Sequence, residues 1–313
     1  IPSFHYSIIP LFHHSIIPPR MTLPHAALVY GKPPNCGECR TMFHECICLG
    51  LPSLAGYSLP EALVKARELG FQSVMSLPGG PNAKHSLGPF PTLGYDDPAG
   101  RGQLQGLLDG FARVSIHQAW DQDWQGWIDC AKLVGAQVVA VHAGICQGDP
   151  SEWLAATARH WRVVGDYAQA HGIRVGIENE GGARDTYLRL IREVDHPAVG
   201  ATIDLGHCAY FVEVTAQPDL GRRVGLLNQT ISDVLTELGD RVVAVHAHNV
   251  RVADWRDHRS VVSGAIDMAQ AFRGLAQIGF RGSIDIELEE PDMEQACAET
   301  GACLDALCRS VLG

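Results

Sequence analysis

The sequence predicts an α/β fold, a single closed (β/α)8 barrel of the TIM type. Three observations predict it: eight short runs of apolar and β-branched residues, segments of helical spacing between them, and no linker or shift in composition that would divide the chain from the first run onward. A length of 313 residues suits one barrel with long loops. A doubly wound sheet would want a glycine fingerprint after its first strand, and "LGLPSLAG" (49–56) is not G-x-G-x-x-G.

In chain order, "ECICLGL" (45–51) is the first strand; Cys46 and Cys48 are two apart, so alternation puts both on one face as core packing. "SLPEALVKARELG" (58–70) is a helix with Ser58 as N-cap, Pro60 in the first turn and Gly70 as the stop. "FQSVMSLP" (71–78) and "FARVSIH" (111–117) are the second and third strands. Trp120, Trp124 and Trp127 follow, either as a pocket wall or as a core stripe on the helix "DWQGWIDCAKLVGA" (123–136). "QVVAVHAG" (137–144) is the fourth strand, "SEWLAATARHWRVVGDYAQAHG" (151–172) a long helix and "RVGIEN" (174–179) the fifth strand. "GATIDLGH" (200–207), "RVVAVHAHN" (241–249) and "GSIDIELE" (282–289) complete the set, with the helix "DMAQAFRGLAQIG" (267–279) before the last.

Composition excludes some classes. No apolar run approaches the roughly 20 residues that span a bilayer, and a net charge of −11 argues against nucleic acid as a partner. Five of the ten cysteines sit singly in apolar segments (Cys130, Cys146, Cys208, Cys303, Cys308), which reads as free thiols in a reducing cytoplasm. "NCGEC" (35–39), near His44, Cys46 and Cys48, invites a zinc knuckle, but Cys36 and Cys39 lack a matching second pair. "FHYSIIP" (4–10) is nearly repeated as "FHHSIIP" (12–18), without the basic start of a signal peptide. With a methionine at position 21, residues 1–20 are expected to be non-native upstream sequence or a disordered arm, and residues 21–313 the barrel domain.

In such a barrel the chemistry comes from the carboxyl ends of the strands. Strand three ends in His117, four in His142, five in Glu178, six in Asp204 with His207 just after it, seven in His246 and eight in Glu287. One strand-end acid is usually a helix cap, and one histidine is usually just hydrogen-bonded. Six consecutive strands delivering acids and imidazoles to one rim point instead to a cation, without which the carboxylates would repel one another. Two Glu, one Asp and one His suit Mn2+, Mg2+ or Co2+ at least as well as Zn2+. Glu178 is then a ligand, while Asn179 and Glu180 orient a neighbour or touch substrate. Asp285, Glu287 and Glu289 alternate onto one face, and any of them could be the eighth strand's ligand.

Four motifs in this order, "IEN" (177–179), "DLGH" (204–207), "VHAHN" (245–249) and "GFRGSIDIELE" (279–289), resemble the xylose-isomerase-like barrels, a family of sugar isomerases and epimerases with an endonuclease IV branch. The resemblance spans about residues 45–290. It implies that Glu178, Asp204, His246 and Glu287 hold a divalent metal, and it favours Glu287 over its neighbours. It further implies catalysis by Glu178 and Glu287, as proton acceptor and donor on opposite faces of a small keto sugar whose enediolate the metal stabilises. His117, His142, His207 and His258 would contact substrate, with a second metal as the alternative for His207. A dehydratase or lyase would share the first step. The endonuclease branch implies three zincs, with His117, His142 and His258 where its extra ligands stand, and cleavage of abasic DNA; here Arg256 stands two positions before His258, where that branch has an aspartate, although Asp254 and Asp257 are close. A non-catalytic metal-binding barrel is the third reading. Relatives of this kind often form dimers or tetramers, so the resemblance also implies a homo-oligomer.

Overall fold

Short β-branched and apolar runs that bury both faces suit parallel strands covered by helices, and eight of them form here: β1 (Ile47–Gly50), β2 (Ser73–Ser76), β3 (Arg113–His117), β4 (Val138–His142), β5 (Arg174–Glu178), β6 (Val199–Asp204), β7 (Val242–Ala247) and β8 (Ser283–Ile286). Each pairs in parallel with the next, and β8 returns to β1 with Ile284 opposite Ile47, so the barrel closes. These are the eight predicted runs, shortened at their ends. The computed structural model describes residues 42–79, 84–85, 88–119 and 123–312. The predicted 1–20 extension, Cys36 and Cys39, and Trp120 lie outside the described residues. No described helix is long and apolar enough to cross a membrane.

The helices are α1 (Leu59–Glu68), α2 (Pro98–Leu108), α3 (Trp124–Val134), α4 (Pro150–His171), α5 (Arg184–Val194), α6 (Leu220–Leu238), α7 (Met268–Gln277) and α8 (Met293–Leu307). Their starts follow from local chemistry. Ser58 and Glu61 form a capping box on α1. Asp97, Asp123, Asp149, Asp219 and Asp267 each accept a backbone N–H in the first turn of α2, α3, α4, α6 and α7, a cap worth about 1 kcal/mol apiece. Gly135 and Gly172 stop α3 and α4 in the left-handed conformation, at φ 74° and 72°.

The main core lies between strands and helices, where Phe71, Phe272, Ile128 and Leu104 are buried. Trp127 is buried there too, and Trp124 packs edge-to-face on Tyr167, so both serve the helix layer. The two first-strand cysteines part company. Cys46 precedes β1, its Sγ 3.6 Å from Cys308 near the C-terminus, whereas Cys48 lies beside Ser115 and Asp285. The strand begins only at Ile47, so alternation does not reach back to Cys46.

Two local features set the register of the site. Ala201 pairs with Val242 but Thr202 pairs with Ala244, which leaves Val243 as an extra residue in β7. This bulge shifts every later residue of β7 by one, and it brings His246 rather than Val245 opposite Asp204. Beside it Gly176 leaves room: a Cβ there would lie 2.1 Å from Thr202 Oγ1 and 2.8 Å from Val243 Cγ2. Gly176→Ala is therefore expected to cost about 1–3 kcal/mol by overpacking, read as a lower urea midpoint; an unchanged midpoint would show that the barrel interior is not tight there.

Candidate metal centre

The strand ends converge on Glu178. Its Oε2 lies 3.2 Å from His117 Nε2, 3.2 Å from His142 Nε2 and 3.3 Å from His246 Nδ1, and its Oε1 lies 3.0 Å from His207 Nδ1. Glu287 Oε2 is 3.5 Å from His246 Nδ1 and 3.7 Å from His258 Nε2. Asp204 Oδ2 is 3.8 Å from His246 Nδ1 and 2.9 Å from His248 Nε2. Glu178, Asp204, His246 and His248 are all buried.

Whether these residues fit a cation can be tested on His246. Both of its ring nitrogens are buried without a hydrogen-bond partner, although three carboxylates face Nδ1. A buried nitrogen left orphaned is costly, and a ring nitrogen aimed among converging carboxylates suits a metal ligand once its proton is gone. Glu178, Asp204 and His246 have donor atoms close enough to share one ion, as do His117, His142 and Glu178, then His117, His246 and Glu287, and then Asp204, His207, His248 and His258.

Neighbours hold the rings in place. His117 Nδ1 donates to the Gln118 carbonyl at 3.0 Å, and His142 Nδ1 donates to Glu180 at 2.7 Å, so both Nε2 atoms turn toward Glu178 and lie 3.1 Å apart. Two ring nitrogens and a carboxylate at that spacing need a proton or a cation among them. Glu180 also accepts the Gly144 N–H, and Asn179 clamps the Asp204 backbone with two hydrogen bonds of 2.9 Å. Both residues after Glu178 therefore orient neighbours.

The electrostatics show the same demand for positive charge. Burial alone would raise the Glu178 carboxyl; the His246 and His142 rings outweigh it and hold Glu178 well below the usual carboxylate range. Glu287 is lowered in the same way, against burial, by His246 and His258. Burial opposes protonation of His246, yet Glu287 and Glu178 push it up to about 10; His207 is pushed up to about 9 against burial by Asp204 and Glu178.

All the predicted site residues, Glu178, Asp204, His246, Glu287, His117, His142, His207 and His258, lie in this one mouth. Of the alternating acids, Asp285 turns into the barrel and accepts from Ser115 at 2.8 Å, and Glu289 meets Arg256 at 2.9 Å, which leaves Glu287 facing the imidazoles. Arg256 is thereby occupied outside the cluster. Asp257 stands in the cluster instead, 3.5 Å from His207 Nε2 and 3.3 Å from His258 Nδ1. His248 is an addition: "VHAHN" places it two residues after His246, a spacing that could have marked it.

Known proteins can now be set beside this geometry. Among curated proteins none is significantly similar in sequence. Of solved structures, a D-tagatose 3-epimerase-like protein superposes with a TM-score of 0.63 at 20% identity, over 85% of this chain and 98% of that one. A xylose isomerase-like TIM barrel protein from Mycobacterium smegmatis in complex with magnesium gives 0.64 at 18%, over 85% and 97%. D-allulose 3-epimerase from Methylomonas sp. in complex with D-allulose gives 0.59 at 16%, over 85% and 99%. At such identities the likeness is one of fold. The sequence profile of one family, described as xylose isomerase-like TIM barrel, matches residues 115–307, well over half of the chain and every residue of the site, and the chain belongs to that family.

Proposed function

We propose that the chain is a divalent-cation-dependent isomerase or epimerase of a small keto sugar or related polyhydroxylated ketone. The observation that carries this reading is the convergence of Glu178, Asp204 and Glu287 on the orphaned Nδ1 of His246. These four residues would hold the ion. A cation bound there would polarise a substrate carbonyl and stabilise the negative charge that develops on its oxygen. The D-allulose 3-epimerase of the same fold, solved in complex with D-allulose, supports a sugar-like substrate.

The chain's own groups would move the proton. Glu178 and Glu287 come from strands three apart and reach His246 from different sides. Glu178, kept ionised by its imidazoles, can accept a carbon-bound proton. Glu287, with its Oε2 3.7 Å from His258 Nε2, is the second carboxylate that could carry a proton to or from the substrate. Ile145, Trp153 and Gly182 line a small cleft beside Glu178.

The crowd of histidines favours a second reading. His117 and His142 with Glu178, and Asp204 with His207 and His258, offer two further cation positions, as cleavage of a phosphodiester by several zincs would want. The charge of −11 weighs against a DNA substrate.

Elemental analysis and a keto-sugar panel in deuterated water test the choice. One equivalent of Mn, Co or Mg with deuterium entering next to the carbonyl is expected, and Glu178→Gln and Glu287→Gln should each slow that exchange roughly 100- to 10,000-fold. Two or three zincs with cleavage of an abasic oligonucleotide would favour the second reading. Bound metal without turnover on either substrate class would leave a binding module, and failure to take up any of these ions would sink the site.

Cation uptake at about pH 7.5 should also release protons, because a ring held near 10, as His246 is, starts protonated and must give up a proton before its lone pair can bind a cation. Affinity should accordingly fall as pH is lowered. Titration calorimetry in two buffers of different ionisation heat measures the release; a count of zero would mean that His246 is not a ligand.

A further inference from the structure

Resting on the reading of this mouth as a cation site, we infer that His248 is a positioning residue that locks Asp204 to the hairpin carrying Asp257 and His258, and that it is not itself a metal ligand. Its position among Asp204, His207 and His258 would allow a ligand's role. Its hydrogen bonds assign it another.

The tautomer follows from two contacts. The His258 backbone N–H donates to His248 Nδ1 at 3.0 Å, so Nδ1 carries the lone pair. The proton is then on Nε2, which donates to Asp204 Oδ2 at 2.9 Å. Acting as a ligand through Nε2 would move that proton to Nδ1, directly against the His258 N–H. The ring is fully buried, so no solvent could relieve two opposed donors.

The lock holds both of its ends. On one side, Asp204 Oδ1 accepts the His207 N–H at 2.6 Å and Oδ2 accepts from His248, which fixes the plane of the carboxylate while a lone pair of Oδ2 still faces His246. On the other, the His248 ring stacks on the His258 ring with centroids 4.2 Å apart and planes 12° apart. The hairpin (Asn249–Arg251 with Arg256–Arg259) holds Trp255 at φ 58° and His258 at φ 53°, a conformation that costs about 1 kcal/mol or more for such residues. The bond and stack to His248 offset that cost where it matters, at the residue facing Glu287. Gly206 makes room: a Cβ there would lie 2.0 Å from His248 Cε1.

Two measurements test the lock. The first uses wild-type protein with ¹⁵N-labelled histidine, observed before and after saturation with Zn2+. Nε2 of His248 should be protonated and Nδ1 bare in both states; loss of the Nε2 proton on zinc binding would make His248 a ligand and overturn the inference. The second compares zinc affinity by calorimetry in His248→Leu and His248→Gln, with thermal midpoints recorded beside it. The leucine variant should bind about 10- to 100-fold more weakly at unchanged stoichiometry, and glutamine, which can still donate to Asp204, should recover most of the loss. Wild-type affinity in the leucine variant, or one ion fewer per chain, would overturn it. A wild-type chain that takes up no cation at all would fail the reading of the site instead; the tautomer would then decide the lock, with a proton on Nε2 supporting it and one on Nδ1 refuting it.

Discussion

Three carboxylates, Glu178, Asp204 and Glu287, face one buried imidazole nitrogen at 3.3 to 3.8 Å, and most of the upper barrel answers to that concentration of negative charge. Ionised groups taken out of water cost several kcal/mol each unless opposite charge stands close by. His117, His142, His207 and His258 form a ring of groups that can supply it as protons, and a divalent ion would supply more from a single point. Protons and metal ions compete for the same lone pairs, so a mouth that pulls His246 and His207 toward protonation is also one whose donors suit a cation.

The arrangement depends on backbone details some distance from the charges. The extra residue at Val243 decides which side chain of β7 stands beside Asp204, and Gly176 gives the space in which that bulge sits. Asn179 ties the end of β6 to β5 through both its amide and its carbonyl, so Glu178 and Asp204 cannot drift apart without breaking two buried hydrogen bonds. Glu180 does the same for the His142 ring at Nδ1, and Gln118 for its backbone N–H. The geometry of the candidate ligands is thereby set by the residues beside them.

Periodicity made the fold and the rim legible. Eight β-branched runs with helical intervals allow little besides a barrel, and a barrel's strand ends are its site. Legibility ended where geometry departs from regular alternation. Cys46 sits in a turn, so its spacing from Cys48 did not mean a shared face. Glu287 and Glu289 are two apart, but β8 ends at Ile286, and past that point nothing obliges the two side chains to point together. Arg256 looked like the loss of a ligand position; a hairpin with left-handed residues at Trp255 and His258 turns Asp257 into the cluster instead, a conformation no propensity scale anticipates.

How many ions such a mouth holds decides what chemistry it can do. Proton transfer beside a carbonyl needs one ion and two carboxylates that reach the substrate from different sides, and we propose Glu178 and Glu287, from strands three apart, for that pair. In-line attack on a phosphodiester wants ions that grip both the entering and the leaving oxygen. Glu178 Oε2 lies 3.2 Å from both His117 and His142 and 3.3 Å from His246, while Oε1 lies 3.0 Å from His207, so this one carboxylate stands in reach of four rings. The pairing of Glu178 with Glu287 and the charge of −11 are what favour the sugar reading that we propose over the nucleic-acid one.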